Sequence, residues 1–140
     1  MKWLCGLLVF AGVLMSSAAA QIDDFLWKNR LLIVSVSNEN ALLLAEQSAI
    51  FDDHYAGMND RDLKLISLVA ERVYVNEVST DQLDAAFMRE QYDLPNQGVA
   101  ILVGKDGTVK LRRDAAISAA ELFSVIDRMP MRRREMKDRG

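Results

Sequence analysis

The chain has 140 residues, 51% of them hydrophobic, with 17 basic against 20 acidic side chains and a net charge of −3. That length suits one domain with its own core, and the slightly acidic balance argues against nucleic acid as the main partner. One cysteine and one histidine are too few to complete a zinc site.

Residues 1–20 read MKWLCGLLVFAGVLMSSAAA, with Lys2 ahead of an apolar run and Ala18, Ala19 and Ala20 at its end. This is the pattern of a cleaved secretory signal peptide; a membrane span needs about 20 apolar residues. Cleavage before Gln21 would leave an exported mature chain of 120 residues with no transmembrane segment. It would also remove Cys5, the only cysteine, so thiol–disulfide exchange and cysteine peroxidase chemistry are excluded.

Leu31 to Val36 form a short apolar run long enough for a buried strand. Ser37, Asn38 and Asn40 follow as N-cap candidates, and a helix is expected over 41–55. Leu44, Ser48, Phe51 and Tyr55 would share one face, with Gly57 and Asn59 ending that helix in a loop. Residues 62–69 read as a second strand, apolar on both faces as befits a covered central strand. Ser79 and Gln82 fit a capping box for a helix running to about Tyr92.

Residues 99–103 form a third apolar strand, and Asp106-Gly107 predicts a type I′ hairpin turn. The returning arm alternates, Val109 and Leu111 one way and Lys110 and Arg112 the other, as in an edge strand with one wet face. Ser118 and Glu121 form a second capping box, Leu122, Val125, Ile126 and Met129 follow at helical spacing, and Pro130 is expected to stop the helix. The order β-α-β-α-β-β-α predicts an α/β domain with a mixed sheet and helices on both faces. At the level of topology it matches the thioredoxin fold, giving a domain over 21–130 and a basic tail over 131–140.

Chemistry is sparse along this chain. The junction after the first strand, residues 35–41, carries no cysteine, and Gly98 stands at about the position where redox thioredoxins place a cis-proline. His54 suits a helix C-terminal cation better than a general base. The pairs Asp23-Asp24 and Asp52-Asp53 lack calcium-loop spacing. The loop from Gly104 to Gly107 joins two strands and lacks a P-loop ending. The tail has five basic and two acidic residues and reads as a solvated terminus or, in the alternative, a contact for anionic surfaces.

Trp27-Lys-Asn-Arg-Leu-Leu32, Arg61-Asp62-Leu63, the stretch from Leu102 to Arg112 containing Gly-Lys-Asp-Gly, and Ile126-Asp-Arg-Met-Pro-Met-Arg-Arg133 together resemble the P-DUDES family (domain of unknown function 4174). The resemblance covers roughly 25–135. It implies a thioredoxin-like domain of exported bacterial proteins, also found in vertebrate matrix proteins, located in the periplasm or secreted, with no activity to transfer. It directs attention to Arg61, Asp62, Lys105, Asp106, Lys110, Arg112 and Arg132 as a shared surface. No catalytic residue, metal or cofactor is expected. Three readings follow: a non-enzymatic interaction module for an unknown protein or anionic ligand; a non-thiol enzyme acting on an anionic substrate through Asp62, His54 or the hairpin; and a polyanion or membrane-surface binder using the tail.

Overall fold

The computed structural model describes residues 22–140, so Cys5 and the segment expected to be a signal peptide lie outside the described residues. A six-stranded mixed sheet runs through the molecule. Its strands are β1 (Arg30–Val36), β2 (Leu63–Val69), β3 (Arg72–Val75), β4 (Val78–Thr80), β5 (Val99–Val103) and β6 (Val109–Arg113). Their order across the sheet is β4-β3-β2-β1-β5-β6. Only β1 and β2 pair parallel; every other neighbour is antiparallel.

The alternation of side chains explains the layers. Leu31 and Ile33 of β1 point to one face with Ile66, Leu68, Ile101 and Val103, while Leu32, Val34 and Val36 point to the other with Leu65, Val69 and Leu102. The first face is covered by α3 (Ala85–Tyr92) through Met88 and Tyr92. The second is covered by α1 (Leu42–Asp53), α2 (Tyr55–Asp60) and α4 (Ala119–Asp127), through Phe51, Met58, Leu122 and Ile126. Each fully buried aliphatic side chain stabilises by about 1.5–3 kcal/mol.

Several local expectations are corrected. The helix over 41–55 ends at Asp53, and Gly57 and Asn59 lie within the short α2 that follows a break at His54. On α1 the buried polar residue is Gln47, whose amide both donates to and accepts from the Ile117 backbone at 3.0 and 2.8 Å. Ser79 sits in β4, and the cap of α3 is Asp84, which accepts from the Phe87 amide at 2.7 Å. Ser118 caps α4 as expected, accepting from the Glu121 amide at 3.1 Å.

Hairpin β2–β3–β4 was hidden because its turns use no glycine: Ala70 takes positive φ in the first, Asn76 and Glu77 in the second. In the β5–β6 loop only Gly107 has positive φ (81°), and its amide donates to the Gly104 carbonyl at 3.0 Å. That is a turn followed by a left-handed glycine, with a register shift at Leu102/Val103, rather than a type I′ turn. Pro130 does not merely stop a helix. It opens α5 (Pro130–Arg139), so the basic tail is helical.

Candidate functional site

The polar side chains gather at opposite ends of the sheet. At the end where β1 and β2 begin and β5 finishes, Arg30 is only 1% exposed and donates to both carboxylate oxygens of Glu135 on α5, each at 3.2 Å. Lys105, just past β5, donates to Glu135 at 2.6 Å and to Asp62 at 2.8 Å. Arg61 forks onto Asp127 at 3.0 and 2.8 Å and lies 3.8 Å over the Phe123 ring. Arg132 reaches Asp127 at 3.2 Å and Asp60 at 2.7 Å, and Arg139 holds Asp60 at 2.9 Å.

The structure thus brings Arg61, Asp62, Lys105 and Arg132 into one ion-pair network, with the strand ends and α5 as its frame. Side-chain hydrogen bonds from Arg132 to Asp60 and from Arg61 to Asp127 hold those carboxyls below the usual range. Burial alone would raise Glu135, but its bonds from Arg30 and Lys105 leave it lowered. Arg30 and Glu135 were not legible as partners. An arginine heading an apolar strand and an acid within a basic helix are the only signals.

The other three candidates lie elsewhere. Asp106 accepts from the Thr108 amide and hydroxyl and from Lys110 at 3.0, 2.9 and 3.0 Å, a pairing internal to the β5–β6 loop. Arg112 donates to the carbonyls of Tyr92 and Asp93 at 3.4 and 2.8 Å, closing the C-terminus of α3. His54 is the C-cap of α1, its Nδ1 3.0 Å from the Ile50 carbonyl. No group of three metal-ligating side chains occurs among the described residues.

At the carboxyl end of β1 the arrangement is different. Arg89, which sequence reasoning passed over, reaches from α3 across the strand ends. It donates to the Ser35 hydroxyl at 2.9 Å and to the carbonyls of Ala70, Val36 and Leu68. Ser35 in turn donates to the Pro95 carbonyl at 2.8 Å, and its own carbonyl accepts from the Gly98 amide at 3.1 Å. Beside this brace lies an open cleft of about 410 Å³ between Val36-Ser37, the start of α1 at Leu42 and Leu43, and Gln97-Gly98. Leu42 is 71% exposed at its rim.

The molecule is therefore a mixed α/β domain with one end of its sheet tied by ion pairs and the other left open. The family model described as domain of unknown function (DUF4174) matches residues 21–135, and the chain belongs to that family. Human Sushi repeat-containing protein SRPX is 29% identical over 125 residues, covering 86% of this chain and 27% of the relative. The rat protein of that name matches at the same identity and coverage, and the mouse protein at 28%. The chain thus spans about a quarter of the length of these curated relatives.

Proposed function

We propose that this protein is an exported, non-enzymatic interaction domain on a thioredoxin-like scaffold without thiol chemistry, and that it binds a segment of another protein in the cleft at the carboxyl end of β1. The observation that carries this reading is the position of the cleft. In open α/β sheets ligands dock outside the carboxyl ends of strands where neighbouring connections diverge. Here α1 leaves β1 toward β2, while β5 pairs on the opposite side.

Three further features support it. The β1-α1-β2 and β5-β6-α4 halves meet at β1 and β5, the arrangement expected of a thioredoxin-like core. An exposed leucine beside Gly98 backbone offers an apolar contact next to main-chain donors and acceptors, as extended peptides require. A region that makes up 27% of a longer relative behaves as a module within it. Export to the periplasm or medium rests on residues 1–20.

Panning a random-peptide phage library against the protein tests the reading. Selected peptides should lose binding to Leu42→Asp and keep it with Lys28→Glu, an exposed change ahead of β1 at the opposite end of the sheet. Failure to select any peptide, or binding indifferent to Leu42→Asp, would sink it.

A further inference from the structure

Eleven ion pairs join charged side chains among the described residues. One cluster departs from that habit. Between α1 and strands β2 and β3 lies a cavity of about 260 Å³, at the lower end of the size of small-ligand sites. Glu39 and Glu77 line its mouth, and neither joins a salt bridge among the described residues, although the Asp52 carboxyl shares a hydrogen bond with Glu77 and the exposed Arg72 stands near Glu39. Its walls are Leu44 and Ser48, one turn apart on α1, and Tyr74, which pairs across the sheet with Ser67.

Ser67 is the informative residue. On β2 the face toward α1 runs Leu63, Leu65, Ser67, Val69, so a hydroxyl stands where the pattern calls for an aliphatic side chain. Ser67 is 4% exposed and lines the cavity, yet its hydroxyl has no hydrogen-bond partner among the described residues. Its oxygen is open to the cavity, so solvent reaches it until a ligand group takes that place. The site thus combines a hydroxyl free of protein partners, apolar contact from Val69 and Leu44, and two carboxylates that join no salt bridge among the described residues.

We infer that this cavity binds a small organic ammonium ion: the charged nitrogen between Glu39 and Glu77, an alkyl body against Leu44 and Val69, and a polar group reaching the Ser67 hydroxyl. A hard divalent cation fits poorly, because it needs six to eight oxygen ligands, whereas aliphatic side chains occupy part of the lining. Burial, with the Asp52 carboxyl beside it, raises Glu77 above the usual carboxylate range, and a cation held there would favour its charged form. Arg72 stands near Glu39 and Tyr74 but outside the lining, fully exposed.

The test is a titration of the isotopically labelled protein, read by amide chemical shifts, with 1,4-diaminobutane, n-butylamine, n-butanol and calcium chloride as probes. Both amines should shift the amides of Ser48, Ser67 and Tyr74, and n-butanol should not. Glu77→Gln and Glu39→Gln should each weaken amine binding by about fivefold, as expected for loss of one solvent-accessible ion pair. Glu90→Gln, an exposed change on α3, should leave it unchanged. Two carboxylate variants keep the test decisive should one of them perturb the fold. No shift with either amine, equal shifts with n-butanol, a response to calcium alone, or unchanged affinity in both carboxylate variants would overturn the assignment.

Discussion

Arg30, the first residue of β1, grips Glu135 on α5 through two hydrogen bonds of 3.2 Å across 105 residues of sequence. The same carboxylate takes Lys105 at 2.6 Å, so one acid compensates two nearly buried cations. Removing Glu135 leaves both without it in a poorly solvated place. Glu135→Ala should therefore cost about 3 kcal/mol, whereas replacing the pair by Arg30→Met with Glu135→Leu should cost much less. Urea unfolding midpoints measure both, and a single variant as stable as wild type would show the pair to be solvent-screened.

Acid should loosen the same end. Asp60, Asp127 and Glu135 are held below their ordinary values, so their contribution is present above about pH 4.5 and is lost as pH falls through the native values. Glu77 is raised, so its smaller share has the opposite sign: present at low pH, lost as pH rises through its native value. The urea midpoint should fall between pH 5 and pH 3, and fall less steeply in Asp127→Asn. An equally steep fall in that variant would remove Asp127 from the account.

The two loop glycines should respond differently. Gly107 has φ +81°, and an added Cβ would come within 2.7 Å of Leu26 Cδ2. Gly107→Val should cost about 1–2 kcal/mol from backbone strain alone. At Gly104 the nearest atom is the Cε of Lys110, at 2.7 Å, on a flexible side chain that can move aside. Gly104→Ala should be the milder change, and melting temperatures in the reverse order would refute this.

Arg89 braces the open end. Arg89→Leu removes its bonds to the Ser35 hydroxyl and to the carbonyls of Val36, Leu68 and Ala70. A cost of about 2 kcal/mol is expected. Hydrogen exchange should quicken at the Ala70 and Gly98 amides, which bond to Val36 and Ser35. Unchanged protection there would show the brace to be redundant.

What was readable from residues alone follows from range. Strands β1, β2 and β5 announce themselves as largely apolar runs because they are covered on both faces, and Ser118 marks α4 through a cap three residues long. Hairpin β2–β3–β4 escaped because Ala70, Asn76 and Glu77 hold the positive φ values usually left to glycine. Of the seven residues expected to share a surface, Asp106, Lys110 and Arg112 lie apart, while Arg61, Asp62, Lys105 and Arg132 meet in ion pairs. Their roles were hidden because each pairs with a residue that no local pattern connects, such as Asp127 lying 66 positions from Arg61. Ser67 was silent for a similar reason: a serine in an apolar strand acquires meaning only when the space beside it is seen.

The tie between β1 and α5 also has a direction in time. The ribosome makes Arg30 a hundred residues before Glu135, and Lys105 thirty before it, so Lys105 finds Asp62 already made while Arg30 emerges well ahead of its carboxylate. A nascent chain that has reached only the end of β6 holds every strand of the sheet, yet Arg30 has no Glu135 to receive it. The sheet thus lacks its final fastening until α5 has been made.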